Sequence, residues 1–163
     1  MTTTTRKTPT SRLRFGTARA DITPPVGIYH RMWGAASHDK AAGVHRPLFA
    51  DALALLPSGG DGPGLLRLLI DLVGLGKNEL DALTQTAADA SGIPVENVVV
   101  TFSHTHSAGW MTPDRIPLPG GDLIPGYLAD LNAAVARISR EAVEKAQDAL
   151  ISYAAGRCGM AAN

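Results

Sequence analysis

Val98-Val99-Val100-Thr101-Phe102-Ser103-His104-Thr105-His106-Ser107 runs from β-branched residues into small polar ones around two histidines. Val, Thr and Phe suit a pleated, half-buried strand. Alternate residues of an extended chain share a face, so the spacing predicts that His104 and His106 project together from the end of a buried strand. Zinc takes imidazole nitrogen readily, and a hydrolytic zinc site needs about three protein ligands plus an open position. The pair supplies at most two.

Working outward, residues 93–103 read as the whole of this strand. Before it, 77–91 has helical spacing (Leu80, Leu83, Ala87, Ala90) and stops at Gly92, a suitable C-terminal glycine. Residues 46–72 read as a hairpin, two apolar runs divided by Pro57-Ser58-Gly59-Gly60-Asp61-Gly62-Pro63-Gly64. Residues 12–20 form a first strand that must end at Thr23-Pro24-Pro25. Between them, 28–44 has no period and reads as a long loop, with Tyr29, Met32 and Trp33 marking it as functional. The spacing of Leu128, Leu131, Val135, Ile138, Ala142 and Val143 predicts a core-packing helix over 127–150. A further strand begins at Ile151 and runs toward Cys158. Helices and strands interleave, which predicts an α/β fold: a mixed sheet with packed helices.

The 163 residues suffice for one domain with a core. Lys+Arg and Asp+Glu balance at 15 each, which gives no steering toward nucleic acid. Cys158 is the only cysteine, so a thiolate zinc knuckle is excluded, and it reads as a small buried residue. Met1 to Ser11 is Thr-rich, lacks the apolar core of a signal peptide, and is expected to be a disordered leader. No window approaches the roughly 20 apolar residues of a membrane span. Cellular location and oligomeric state are not legible.

His45, at the loop-to-strand transition in Gly43-Val44-His45-Arg46-Pro47-Leu48, is the natural third metal candidate beside His104 and His106. His30 and His38 read as structural or surface residues. Asp71 ends an apolar run and either orients a histidine or caps the following turn. Ser103 and Ser107 flank the histidines, but no Gly-X-Ser-X-Gly elbow is present, and no glycine pair forms a nucleotide-binding turn.

Three blocks in order carry a family resemblance. Phe15-Gly16-Thr17-Ala18-Arg19-Ala20-Asp21-Ile22-Thr23-Pro24-Pro25-Val26-Gly27 resembles the opening of the neutral/alkaline, non-lysosomal ceramidases. The segment Gly43 to Leu53 is similar to that family's next block, and Ser103-His104-Thr105-His106-Ser107 to its His-Thr-His-Ser signature. The resemblance implies a zinc-dependent amidohydrolase that cleaves the N-acyl bond of ceramide to sphingosine and fatty acid. It implies zinc held by two histidines, a glutamate and a tyrosine. The first histidine would fall on His45 and the second within the pair, with His104 favoured and His106 left for substrate. In this reading His106 and Asp71 are the catalytic side chains. Family members are several hundred residues long, and their glutamate and tyrosine lie beyond Asn163. The expectation is therefore the N-terminal portion of a larger catalytic domain over 12–163, incomplete and inactive by itself. The chain departs from the family pattern at Asp51 and at Ala108-Gly109-Trp110. The alternative is a small non-catalytic α/β protein whose histidines are structural or bind some other ligand.

Overall fold

The computed structural model describes residues 9–160. The described residues form five strands and two long helices: β1 (Thr10–Asp21), β2 (Phe49–Pro57), β3 (Leu65–Ile70), α1 (Lys77–Ser91), β4 (Val98–Phe102), α2 (Ile124–Glu144) and β5 (Gln147–Ser152). The sheet order is β4-β3-β2-β1-β5. Only β3 and β4 run parallel, joined by α1. The predicted hairpin is β2 and β3, antiparallel, with Leu55 opposite Leu65 at its mouth. The mixed sheet with packed helices is as the sequence implied.

Both helices cover one face of the sheet. On that face β1 and β2 present Gly16, Ala18, Ala20, Ala50, Ala52 and Ala54, all buried. These small residues let α2 approach closely, and its Leu131, Val135, Ile138 and Ala142 fill the space. β3 presents Leu66, Leu68 and Ile70, each fully buried in the core that also takes Leu83 and Ala87 of α1. The facing residues match in volume, large against small, as close packing requires. The opposite face carries Phe15, Leu53, Leu55, Leu69 and Val99 only partly covered, and Arg19 lies there in a bidentate pair with Asp51. No helix among the described residues is long and apolar enough to cross a membrane.

Several boundaries differ from the sequence reading. Thr10 and Ser11, placed in the leader, already pair with Ser152 and Ile151, while residues 1–8 lie outside the described residues. The strand read over 93–103 is confined to Val98–Phe102, preceded by a single 3₁₀ turn at Val95–Asn97. The last helix starts earlier and stops at Glu144, not 150. Gln147–Leu150 have acceptable helix propensity, but here they supply the hydrogen-bonding partner for the free edge of β1. Tertiary pairing overrides the weak local preference. Arg14 secures the crossing by donating from its guanidinium to the carbonyl of Ala146 at 2.9 Å. Cys158, expected to be buried, is exposed beyond the end of β5.

Tyr127 ties α2 to the end of β1. Its buried hydroxyl donates to the Ile22 carbonyl at 3.0 Å, and burial pushes the phenol well above its usual range. Tyr127→Phe removes the donor and leaves a buried carbonyl unpaired. The expected loss is about 1–3 kcal/mol, read as a lower urea midpoint at unchanged m-value.

Candidate functional site

The candidate site lies beyond the ends of β3 and β4. The ladder continues past both strands: Ser103 N–H donates to the Ile70 carbonyl at 3.0 Å and His104 N–H to the Leu72 carbonyl at 3.1 Å. At His104 the backbone turns into the left-handed region, φ 57°, the one such non-glycine residue among those described. The extended alternation assumed from the sequence therefore fails at the first histidine. The chain nevertheless brings the two rings together, with centroids 5.4 Å apart in an edge contact.

The ring of His104 is anchored. Its Nδ1 lies 3.1 Å from the Val73 carbonyl. A carbonyl only accepts, so Nδ1 carries the proton and Nε2 keeps the lone pair of the neutral imidazole. That is the arrangement in which a protein presents a histidine to a metal, the other nitrogen being held by a carbonyl. His106 forms no comparable ring hydrogen bond among the described residues. Its ring lies flat against Trp33 of the 28–44 loop, with centroids 3.5 Å apart and planes 17° from parallel.

The loop is bound down at its base. His30 N–H donates to the Asp39 carbonyl at 2.9 Å, Ala41 N–H to Ile28 at 3.0 Å, and Tyr29 N–H to Gly120 at 3.0 Å. Gly109 permits this close approach, since a Cβ there would stand 2.5 Å from the Cα of His30. His30 packs against His38, ring centroids 4.8 Å apart. Burial, and then the neighbouring His38, pull the His30 imidazole below its usual range, which favours its neutral form.

A cleft of about 630 Å³ opens beside the 103–107 segment. Ser103, Thr105 and Ser107 line it together with His30, His45 and Asp71, over an apolar floor that includes Ile28, Leu48 and Met111. Odd-numbered residues of the segment face the cleft, while His104 and His106 do not line it. His45 is thus placed on the cleft wall with Ser103, Thr105 and Ser107. Among the described residues no three His, Cys, Asp or Glu side chains are gathered as a metal-holding set. Asp71 takes neither role expected of it, orienting a histidine or capping the following turn: its Oδ2 accepts the Phe49 N–H at 3.0 Å, and its own N–H donates to the Phe49 carbonyl at 2.9 Å. It pins the start of β2 to the end of β3 and is engaged by no histidine. Sequence reasoning marked Trp33 only as part of an aromatic loop. Its contact with His106 spans more than 70 positions and leaves no local spacing signal.

Neutral ceramidase from Pseudomonas aeruginosa has a similar solved structure, with a TM-score of 0.62 and 23% identity over 87% of this chain and 22% of that one. The chain carries a neutral ceramidase-like fold. A second structure, a ceramidase complexed with C2, matches with a TM-score of 0.53 and 24% identity, over 82% of this chain and 21% of the other. The chain therefore spans about a fifth of the length of either ceramidase. No family model and no curated protein matches the sequence. In this ceramidase-like fold the histidine pair, the bound-down loop and the cleft all cluster at one end of the sheet.

Proposed function

We propose that this chain is part of a ceramidase-type zinc amidohydrolase acting on ceramide or a related N-acyl lipid, with His104 and His106 as the imidazoles that hold the metal. The observation that carries the reading is the anchored His104 ring, whose proton is committed to the Val73 carbonyl while its Nε2 lone pair stays available beside a second imidazole. The donor set fits zinc in kind, since both are neutral-capable nitrogen ligands, but it fills only part of the coordination that hydrolysis requires. His45, expected as a third ligand, is better assigned to the cleft wall. When bound, zinc would polarise the amide carbonyl and lower the pKa of bound water toward about 7.

The chain's own residues would do the rest. The apolar floor at Ile28, Leu48 and Met111 would bury part of an acyl or sphingoid chain, gaining roughly 25 cal/mol per Å² of apolar surface. The hydroxyls of Ser103, Thr105 and Ser107, with the neutral His30, would hydrogen-bond the polar amide end and fix its orientation along the 103–107 segment.

With two ligands, zinc affinity is expected to be weak and turnover of a fluorescent ceramide by this chain alone negligible. Zinc-dependent turnover at the level of a full-length ceramidase would overturn the two-ligand account. Among the described residues no third metal-binding side chain joins the pair, and a second reading is a non-catalytic α/β protein whose histidines are structural. Calorimetric zinc titration separates the two, because that second reading predicts no heat of binding at any accessible concentration.

A further inference from the structure

The two imidazoles of the pair are oriented by different means. His104 is held by a hydrogen bond to Val73. His106 sits on the exposed turn after β4, and its ring has no hydrogen-bonding partner among the described residues. A side chain so placed would rotate freely about χ1 and χ2, and ordering it on binding would cost affinity.

Trp33 supplies what the hydrogen bonds do not. It stacks on His106 at 3.5 Å and meets His104 edge-on at 6.4 Å, with planes 65° apart, so one indole abuts both rings. Its own Nε1–H is buried without a partner. A buried Trp N–H ordinarily finds an acceptor, so the ring's position here is set by the stack rather than by its donor. The loop that carries the indole is tied down through its backbone. Ala36 N–H closes a turn onto the Trp33 carbonyl at 2.9 Å, and the loop's base is strapped by Asp39, Ala41 and Gly120.

We propose that Trp33 is a positioning residue that locks the His106 imidazole through the stack and so presets the direction its nitrogens face. The inference deepens the reading of His104 and His106 as zinc ligands and rests on it for its consequence in metal binding. Its structural content, the hold on His106, stands apart from zinc. The sequence-distant loop thereby becomes part of the site, not a cover over it.

The experiment compares the wild-type chain with Trp33→Ala and Trp33→Phe, each shown by far-UV circular dichroism and melting to keep the fold. Histidine side-chain resonances are recorded without metal, and zinc binding is then followed by calorimetry. In the wild type the His106 ring protons should be displaced by the indole's ring current relative to those of exposed His45. Trp33→Ala should abolish that displacement and Trp33→Phe should keep most of it. Zinc affinity should fall about two- to tenfold in Trp33→Ala, the range expected for one aromatic stack, and stay within about twofold in Trp33→Phe. His106 resonances unmoved by Trp33→Ala overturn the inference, as does unchanged affinity where the wild type binds. If the wild type binds no zinc, the metal reading of the pair falls, and the His106 resonances alone decide whether Trp33 holds the ring.

Discussion

His104→Asn should lower zinc affinity by about a hundredfold or more while leaving the fold intact. Removing groups that merely orient a metal-binding histidine costs about 10–100-fold in affinity, so removing the ligand itself should cost at least the upper end. Asparagine is the informative replacement because His104 has φ 57°. Asn tolerates the left-handed region well, whereas Ala there would add strain of about 1–2 kcal/mol and confuse a lost ligand with a disturbed turn. The backbone bond from His104 N–H to Leu72 is independent of the side chain and should persist. Calorimetric zinc titration of the two proteins, with His45→Ala alongside, gives the reading. His45→Ala should change affinity by less than about twofold, since that side chain lines the cleft and not the pair. Equal affinity in wild type and His104→Asn would remove His104 from the metal site, and a large loss in His45→Ala would restore the three-histidine set that the sequence suggested.

Gly16→Val should destabilise the domain by about 3 kcal/mol or more, at the top of the range for overpacking. Gly16 lies in the middle of β1, facing the last turn of α2. A Cβ there would collide with the Ala142 carbonyl oxygen and stand 2.9 Å from the backbone nitrogen of Ala146. Both are main-chain atoms at the point where α2 hands over to β5, so no side-chain rotation relieves the clash. The helix end would have to lift, which loosens the Arg14 bond to Ala146 and the β1–β5 pairing with it. Against a total of about 5–15 kcal/mol for a natural domain, such a loss should be plain in a urea titration. Gly126→Ala is the contrast, because a methyl there meets nothing within 4 Å and lies within α2. It should be neutral or stabilise by up to about 1 kcal/mol. Wild-type stability in Gly16→Val would mean that α2 does not pack on β1 as described.

Where local chemistry sufficed, the sequence was legible. The Pro57–Gly64 tract between two apolar runs is the β2–β3 hairpin, and α1 ends with Gly92 at φ 70°, its N–H bonded to the Ala88 carbonyl at 2.9 Å. The histidine pair lies just past a strand end, as its residue types implied, but that strand, β4, is the edge of the sheet and only its Val98 is buried. Three readings needed information that no local window holds. Gln147–Ser152 follows an amphipathic helix and continues its composition, yet it pairs with a strand more than 130 positions earlier. Asp71 suits two roles in the sequence, yet its carboxylate bonds the distant Phe49 N–H and takes neither. His45 and the pair are natural companions in order along the chain, and His45 lines the cleft with Ser103, Thr105 and Ser107.

By itself, then, the sequence determined the α/β class, the hairpin, the first helix and the location of two imidazoles at a strand end. These follow from hydrophobic period, turn residues and caps, all of which act within a few residues. Only the tertiary structure decided that His104 turns left-handed and yields its Nδ1 proton to Val73, that His106 lies on Trp33, and that His45 lines the cleft with Ser103, Thr105 and Ser107. Those outcomes depend on which distant atoms are present to accept a proton, stack on a ring or fill a cleft. Such pairings cross 31 positions from Val73 to His104 and 73 from Trp33 to His106, and are set by how the sheet and its loops close together, not by spacing along it.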